Sequence, residues 1–297
     1  MPRPAASRVG AHVSVAGGLL QAVGNAQAVG CEAFQVFVSN SRGWQPPARE
    51  PAADERFRAL VADAGLGPVF VHASYLVNFA SASQATVDAS VAAVAATLDK
   101  AAAIGAAGVV VHAGSHLGTG RQAGLARTRE AVLPLLARLD GGAGGPELLF
   151  ELTAGTRNAV ASRFEEMAEL VDVLGGHPRL RVCFDTCHAH AAGYDLADRV
   201  GASAAADELV KLLGGRLSLV HANDSRDHAG AARDRHCPIG SGTIGEAGFA
   251  ALLAHPGLAG LPVITETTGD PEQMARDVAC LKRLRAAAGS AVRFPAD

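Results

Sequence analysis

The sequence predicts a single α/β domain, a closed (β/α)8 barrel of the TIM class, on three observations. Eight short apolar runs recur about one βα unit apart, and alanine-rich stretches of helical length separate them. Seven of the eight runs end on a His, Asp or Glu. A buried strand has no reason of its own to end on an ionisable side chain, so seven that do so point to convergence on one site. A closed barrel brings the carboxyl ends of all its parallel strands to one mouth. The rival, an open doubly wound sheet, gathers its ligands at a single switch point.

Taken in order, RVGAHVS at 8–14 ends on His12 and leads into a helical stretch at 18–29 that stops at Gly30. AFQVFVS at 33–39 carries no ionisable residue; it runs into Ser-Asn-Ser-Arg-Gly-Trp at 39–44, and a helix at 54–64 follows. PVFVHAS at 68–74 ends on His72, before a helix at 82–104 where Ser81 and Gln84 form an S-x-x-Q capping box. GVVVHAG at 108–114 ends on His112 and precedes a helix at 124–139. ELLFELT at 147–153 supplies Glu151; the helix at 162–174 opens with Ser162 and Glu165 and stops before Gly175 and Gly176. LRVCFDT at 180–186 supplies Asp185, with a helix at 203–213. LSLVHAND at 217–224 supplies His221, with a helix at 246–254. LPVITET at 261–267 supplies Glu266, and a last helix at 271–288 closes the eighth unit. The whole chain, 1–297, reads as one barrel domain with flexible tails at 1–7 and 286–297.

A barrel of this class runs to roughly 250 residues, so length does not require a second domain. The 49% apolar and 19% charged content is that of an ordinary globular protein with a large core. A formal net charge of −3 argues against a nucleic-acid partner, an inference that weakens if divalent metals sit at the site, since the count omits them. Five cysteines, odd in number and unevenly spaced, read as reduced thiols in a cytoplasmic protein. No run approaches the roughly 18 uncharged apolar residues of a membrane span.

Two further clusters lie beyond the strand ends. D-T-C-H places His188 one short turn past Asp185, and D-R-H places Asp234 and His236 two apart, so that both side chains reach one side of an extended segment. The candidate ligands are then His72, His112, His188, His221 and His236 with Glu151, Asp185, Asp234 and Glu266. Imidazole mixed with carboxylate suits Zn2+ or Mn2+. Nine ligands exceed what one ion of three or four protein ligands needs, and two or three ions fit better. Any one strand-end His is more often structural, but the bland reading becomes poor for the set. His116, His177, His190, His228 and His255 end no strand and read as surface or supporting residues. Cys183 and Cys187 lack a partner pair and read as buried thiols. Gly240, Gly242 and Gly245 have no following Lys, and read as shaping a metal-site loop rather than binding phosphate.

These residues resemble a family, endonuclease IV, the zinc-dependent apurinic/apyrimidinic endonucleases. The likeness runs from G-A-H-V-S at 10–14 to E-T-T at 266–268. Between them stand H-x-S-Y-L-x-N at 72–78, H-x-G-S-H-L-G at 112–118, E-x-T-A-G at 151–155, D-T-C-H-A-x-A-A-G-Y-D at 185–195, H-x-N-D-S at 221–225 and D-R-H-x-x-I-G-x-G-x-I-G at 234–245. The resemblance implies three zinc ions, with Mn2+ admissible at one: the first on His72, His112 and Glu151, the second on Glu151, Asp185, His221 and Glu266, the third on His188, Asp234 and His236. It implies Glu151 as the catalytic bridge, and Arg42, Tyr75 and Leu76 as side chains that enter DNA at a lesion. The implied activity is hydrolysis of the phosphodiester 5′ to an abasic site in double-stranded DNA, leaving a 3′-hydroxyl, by a monomer. The chain departs from the family pattern at Thr156 and Arg157, where the family has Gln-Gly, and at Ala113, Ala161 and Cys237. Two rivals stand beside this reading: a metal-dependent sugar isomerase or epimerase on the same barrel, and a lesion-binding protein that has lost catalysis.

Overall fold

The computed structural model describes residues 6–140, 144–267 and 270–291. Strands β1 (Val9–His12), β2 (Ala33–Phe37), β3 (Val69–His72), β4 (Gly108–His112), β5 (Glu147–Glu151), β6 (Leu180–Asp185), β7 (Leu217–His221) and β10 (Val263–Thr265) form the wall. They close on themselves as a parallel barrel in the order β1-β10-β7-β6-β5-β4-β3-β2. A small antiparallel hairpin, β8 (Asp224–Ser225) with β9 (His236–Cys237), stands beyond β7. The helices are α1 (Gln21–Ala28), α2 (Pro51–Asp63), α3 (Gln84–Ala103), α4 (Arg121–Ala137), α5 (Phe164–Val173), α6 (Thr186–Ala191), α7 (Arg199–Leu213), α8 (Gly245–Ala254) and α9 (Pro271–Ala291). The predicted barrel is thus the observed one. Among the described residues no helix is long and apolar enough to cross a membrane.

Side chains alternate across a strand, so each strand serves two cores. Outward residues such as Phe34, Val71, Val109, Phe150 and Phe184 pack under the helices in one continuous apolar layer. Inward residues Ala33, Phe70, Val110, Leu149, Cys183, Leu219 and Ile264 form a separate plug inside the barrel. β1 brings no side chain to that plug. A Cβ on Gly10 would overlap the carbonyl oxygen of Ala33, its partner on β2.

Several local expectations shift. The α3 cap is Ser83, whose hydroxyl accepts from Thr86 N–H at 3.4 Å, while Ser81 is spent on the N–H of Ser83 at 3.1 Å. At α5 the reciprocal carboxylate is Glu166, which accepts from Ser162 and Arg163 N–H at 2.9 and 3.1 Å; Glu165 instead takes the Tyr194 hydroxyl. α2 starts earlier than expected because Pro51 fits the first helical turn, where no N–H is needed. α6 is an unforeseen short helix capped by Asp185, whose carboxylate accepts from His188 N–H at 2.7 Å. Of the expected tails, Ser7 is buried and its carbonyl accepts from Arg285, which also pairs with Glu32. α9 runs on through Ala291, and residues 1–5 and 292–297 lie outside the described residues.

Gly10→Ala should therefore lose about 3 kcal/mol, the upper part of the overpacking range, in urea denaturation. Gly289→Ala, in α9 with nothing within 4 Å of the added carbon, should gain up to about 1 kcal/mol. Equal effects at the two positions would contradict the packing seen around β1.

Candidate metal centre at the barrel mouth

Two residues beyond each of the seven plug positions, and two beyond Gly10 on β1, stands a polar side chain at the mouth. Running round the wall these are His12, Gln35, His72, His112, Glu151, Asp185, His221 and Glu266. The strand register sets His12 opposite Gln35, His112 opposite Glu151 and Asp185 opposite His221. The second strand, which lacks an ionisable residue, contributes an amide instead. Its signal was the two-residue period, which places Gln35 level with the histidines.

Glu151 is the hub. Its Oε2 lies 3.0 Å from His112 Nε2 and 3.3 Å from His72 Nε2. Its Oε1 lies 3.0 Å from His221 Nδ1 and 3.3 Å from His188 Nδ1. In two of these rings a main-chain carbonyl holds one nitrogen's proton and leaves the other nitrogen bare in the neutral ring. His72 Nδ1 donates to the Ala73 carbonyl at 2.7 Å, and His188 Nδ1 to the Leu152 carbonyl at 2.8 Å. Asn223, which sequence reading passed over, ties two carboxylates together. Its amide donates to Asp185 Oδ2 at 2.6 Å and to Glu266 Oε2 at 3.2 Å, and its carbonyl takes the Glu266 N–H.

The donors fall into overlapping groups whose atoms lie within 4.8 Å of one another. His72, His112 and Glu151 form one, and Glu151, Asp185, His221 and Glu266 another, sharing Glu151. The trio His188, Asp234 and His236 divides differently. Asp185, His188 and His236 make one group, and Cys187, Asp234 and His236 make the next. Asp234 links the two rings through different oxygens, 3.2 Å from His188 Nε2 and 3.0 Å from His236 Nε2. That last contact has the wrong angle for a hydrogen bond, and buried His236 Nε2 is left without a partner. A nitrogen and an oxygen close together but not aimed at each other suit a shared cation. The donor types, imidazole and carboxylate, fit a zinc or manganese ion.

Electrostatics point the same way. Burial opposes ionisation of Glu151, yet His221 and His112 hold it well below the usual carboxylate range. Burial also works against charge on His188, but Asp185, Asp234 and Glu151 raise it well above the ordinary imidazole value. His221 is raised likewise, with Cys183, Glu266 and Glu151 opposing burial. Because burial pushes the Cys183 thiol up to about 12, that thiol is neutral, and the carboxylates carry the effect. Cys187, also pushed up to about 12, is a buried thiol beside the group and not a charged ligand. Four carboxylates packed this closely need cations, whether protons on imidazole or metal ions.

The glycine loop has its own anchor. Asp224 accepts backbone N–H groups from Gly240, Gly242, Ile244 and Gly245 at 2.9 to 3.3 Å, so those donors are not free for phosphate. On the rim, Tyr75 is 52% exposed and Leu76 37% exposed, and Arg42 is exposed on the neighbouring loop. Ser41 joins the two loops through its carbonyl, which accepts from Tyr75 N–H and the Ser74 hydroxyl. Tyr75 is not a core aromatic: its ring leans on His72 and Phe37, 5.3 Å from each centroid. Trp44 and Leu117, 40% and 63% exposed, add apolar surface that the sequence reading left unassigned. Thr156 and Arg157 are both exposed on a tight turn, closed by Ala159 N–H on the Thr156 carbonyl. Thr268, the end of the E-T-T motif, lies outside the described residues.

Residues 23–284 match the family described as xylose isomerase-like TIM barrel. "Probable endonuclease 4" of Streptomyces avermitilis is 49% identical over 281 residues, covering 93% of this chain and 90% of that protein. Among solved structures, endonuclease IV from Thermus thermophilus superposes with a TM-score of 0.83 at 41% identity, covering 94% and 99% of the two chains. A D-tagatose 3-epimerase-like protein superposes with a TM-score of 0.75 at 18% identity, over 96% and 99%, a likeness of fold alone.

The charge pattern predicts opposite pH responses with and without metal. The raised His188 and His221 give stability that is complete below their ordinary value of 6.5 and lost as pH rises through their raised values. Depressed Glu151 gives stability present above 4.5 and lost only as pH falls through its lowered value. Chelator-treated protein should therefore melt lower as pH climbs past neutrality. With zinc added, protons compete for the same nitrogens, so the zinc-dependent rise in melting temperature should grow from about pH 5.5 to 8. Calorimetry that finds the same pH slope with and without zinc would contradict this coupling.

Proposed function

The chain belongs to the endonuclease IV family, and on that premise we propose that it is a DNA-repair endonuclease. It hydrolyses the phosphodiester 5′ to an abasic site in duplex DNA and leaves a 3′-hydroxyl, acting as a monomer in the cytoplasm. One observation carries the reading: a Glu151-centred donor cluster and an exposed Arg42–Tyr75–Leu76 rim share the same barrel mouth.

In this proposal His72, His112 and Glu151 hold one zinc, and Glu151, Asp185, His221 and Glu266 a second. His188, Asp234 and His236 hold a third, with manganese admissible at one position. When bound, such ions offset charge on the phosphate oxygens and bring the pKa of an attacking water down to about 7. Glu151 suits the bridge because one of its oxygens faces His72 and His112 and the other faces His221. Asn223 keeps Asp185 and Glu266 from turning away from each other. Three divalent ions against four carboxylates leave the mouth net positive, which draws in a phosphate backbone that a chain of net charge −3 would otherwise repel.

The rim residues supply selectivity. A site without its base has lost stacking, so it is opened and bent at least cost. Tyr75 and Leu76 fill the space of the missing base, and Arg42 enters beside them. A sugar epimerase on the same barrel has no use for the His188–Asp234–His236 cluster or for an exposed apolar rim.

Glu151→Gln keeps the side chain's size but removes the charge that balances two ions. Abasic-site incision should fall by orders of magnitude while the circular dichroism spectrum stays that of the parent; activity within a few-fold would show that Glu151 is not the bridge.

Replacing Tyr75 and Leu76 together with Ala should cut incision of abasic duplex about ten- to a hundredfold, from the 1–3 kcal/mol that stacking on a base is worth. An abasic site opposite a gap, already open, should lose much less, and metal content by elemental analysis should not change. Equal losses on both substrates would mark the pair as structural.

A further inference from the structure

We propose that Gln35 is a positioning residue that fixes the ring of His221 and the carboxylate of Glu266 for metal binding. The inference deepens the metal-dependent reading above and rests on it.

Gln35 is fully buried on β2, and all its polar capacity toward the mouth is used. Its Nε2 lies 2.8 Å from Glu266 Oε1 and 2.9 Å from His12 Nδ1. Its Oε1 lies 3.0 Å from His221 Nε2. The chemistry allows one assignment. An ionised carboxylate only accepts, so the amide end that meets Glu266 is the NH2. The opposite end is then the carbonyl oxygen, which can only accept, so His221 Nε2 carries the proton. In the neutral ring this leaves His221 Nδ1 bare, 3.0 Å from Glu151 Oε1 and 3.3 Å from Glu266 Oε2. One amide thus sets which nitrogen of His221 faces the carboxylates and which way Glu266 turns.

His221 differs in this from its neighbours. His72 and His188 each hand a ring N–H to a main-chain carbonyl, Ala73 and Leu152, which no substitution removes. Only His221 among these three is held by a side chain, and that side chain comes from the strand with no ionisable residue of its own.

Gln35→Met preserves length and bulk but offers neither donor nor acceptor. Zinc affinity, read by competition with a chromophoric chelator, should fall 10- to 100-fold at one of the sites, the usual loss when an outer partner of a ligand is removed. In the zinc-loaded protein, the ring 15N signal assigned to His221 by its absence in His221→Gln should show a protonated Nε2 in the parent. In Gln35→Met the Nε2–H, deprived of its acceptor, should change its ring 15N shift and exchange its proton with water faster. Should the Met variant fail to fold, Gln35→Ala, which needs no extra room, carries the same expectation. A folded variant with parental zinc affinity and an unchanged His221 ring signal overturns the role of Gln35. The parent titration separates the two levels: a parent that binds no zinc sinks the metal reading together with this one. A parent that binds zinc and incises abasic DNA, matched by its variant, sinks Gln35 alone.

Discussion

A strand offers one inward side chain for every two residues, and in a closed barrel that constraint decides the site. Once Ala33, Phe70, Val110, Leu149, Cys183, Leu219 and Ile264 fill the interior, the next inward position on every strand has nowhere to go but the mouth. Eight strands therefore deliver eight side chains to one small ring. They are polar because they stand at the edge of water, above a plug that excludes it. The helices outside pack on the opposite strand faces and hold the wall that carries that ring.

Crowding then sets the chemistry. Glu151, 1% exposed, touches four imidazoles, two at each oxygen. Buried charge on this scale is tolerable only when it is paired and hydrogen-bonded. Here the pairing is mutual: carboxylates raise the imidazoles, and imidazoles lower Glu151. Main-chain carbonyls and the amides of Gln35 and Asn223 fix which atoms face inward. The result is a set of nitrogen and oxygen atoms aimed at common points, held in place before any metal ion arrives. Preorganisation of this kind removes the ordering cost that a flexible ligand set would incur on binding.

The barrel was legible because it follows from periodicity, and the candidate donors could be named from the ionisable residues at and just beyond the strand ends. All nine donors meet at the mouth. Gln35 and Asn223 escaped notice since an amide carries no charge to mark it. Their importance lies in contacts across more than 180 and about 40 residues of sequence respectively. The division of the third donor set, with Asp185 and Cys187 beside His188, Asp234 and His236, depends on α6 and the β8–β9 hairpin. Neither element leaves a strong periodic trace at its length. Capping was misjudged by a residue or two at α3 and α5 because several Ser and Glu residues stood within reach, and only the turn geometry chooses among them.

The cysteines give the molecule chemical durability. All five are unpaired, and four are buried. Burial pushes Cys183 and Cys187 up to about 12, and Cys31 and Cys237 up to about 11. Peroxides attack the thiolate, so thiols kept protonated by their surroundings are slow to react. Peroxides should thus leave the four buried thiols largely intact. Cys183, which forms part of the barrel plug, is shielded twice over, by its proton and by the apolar side chains packed around it.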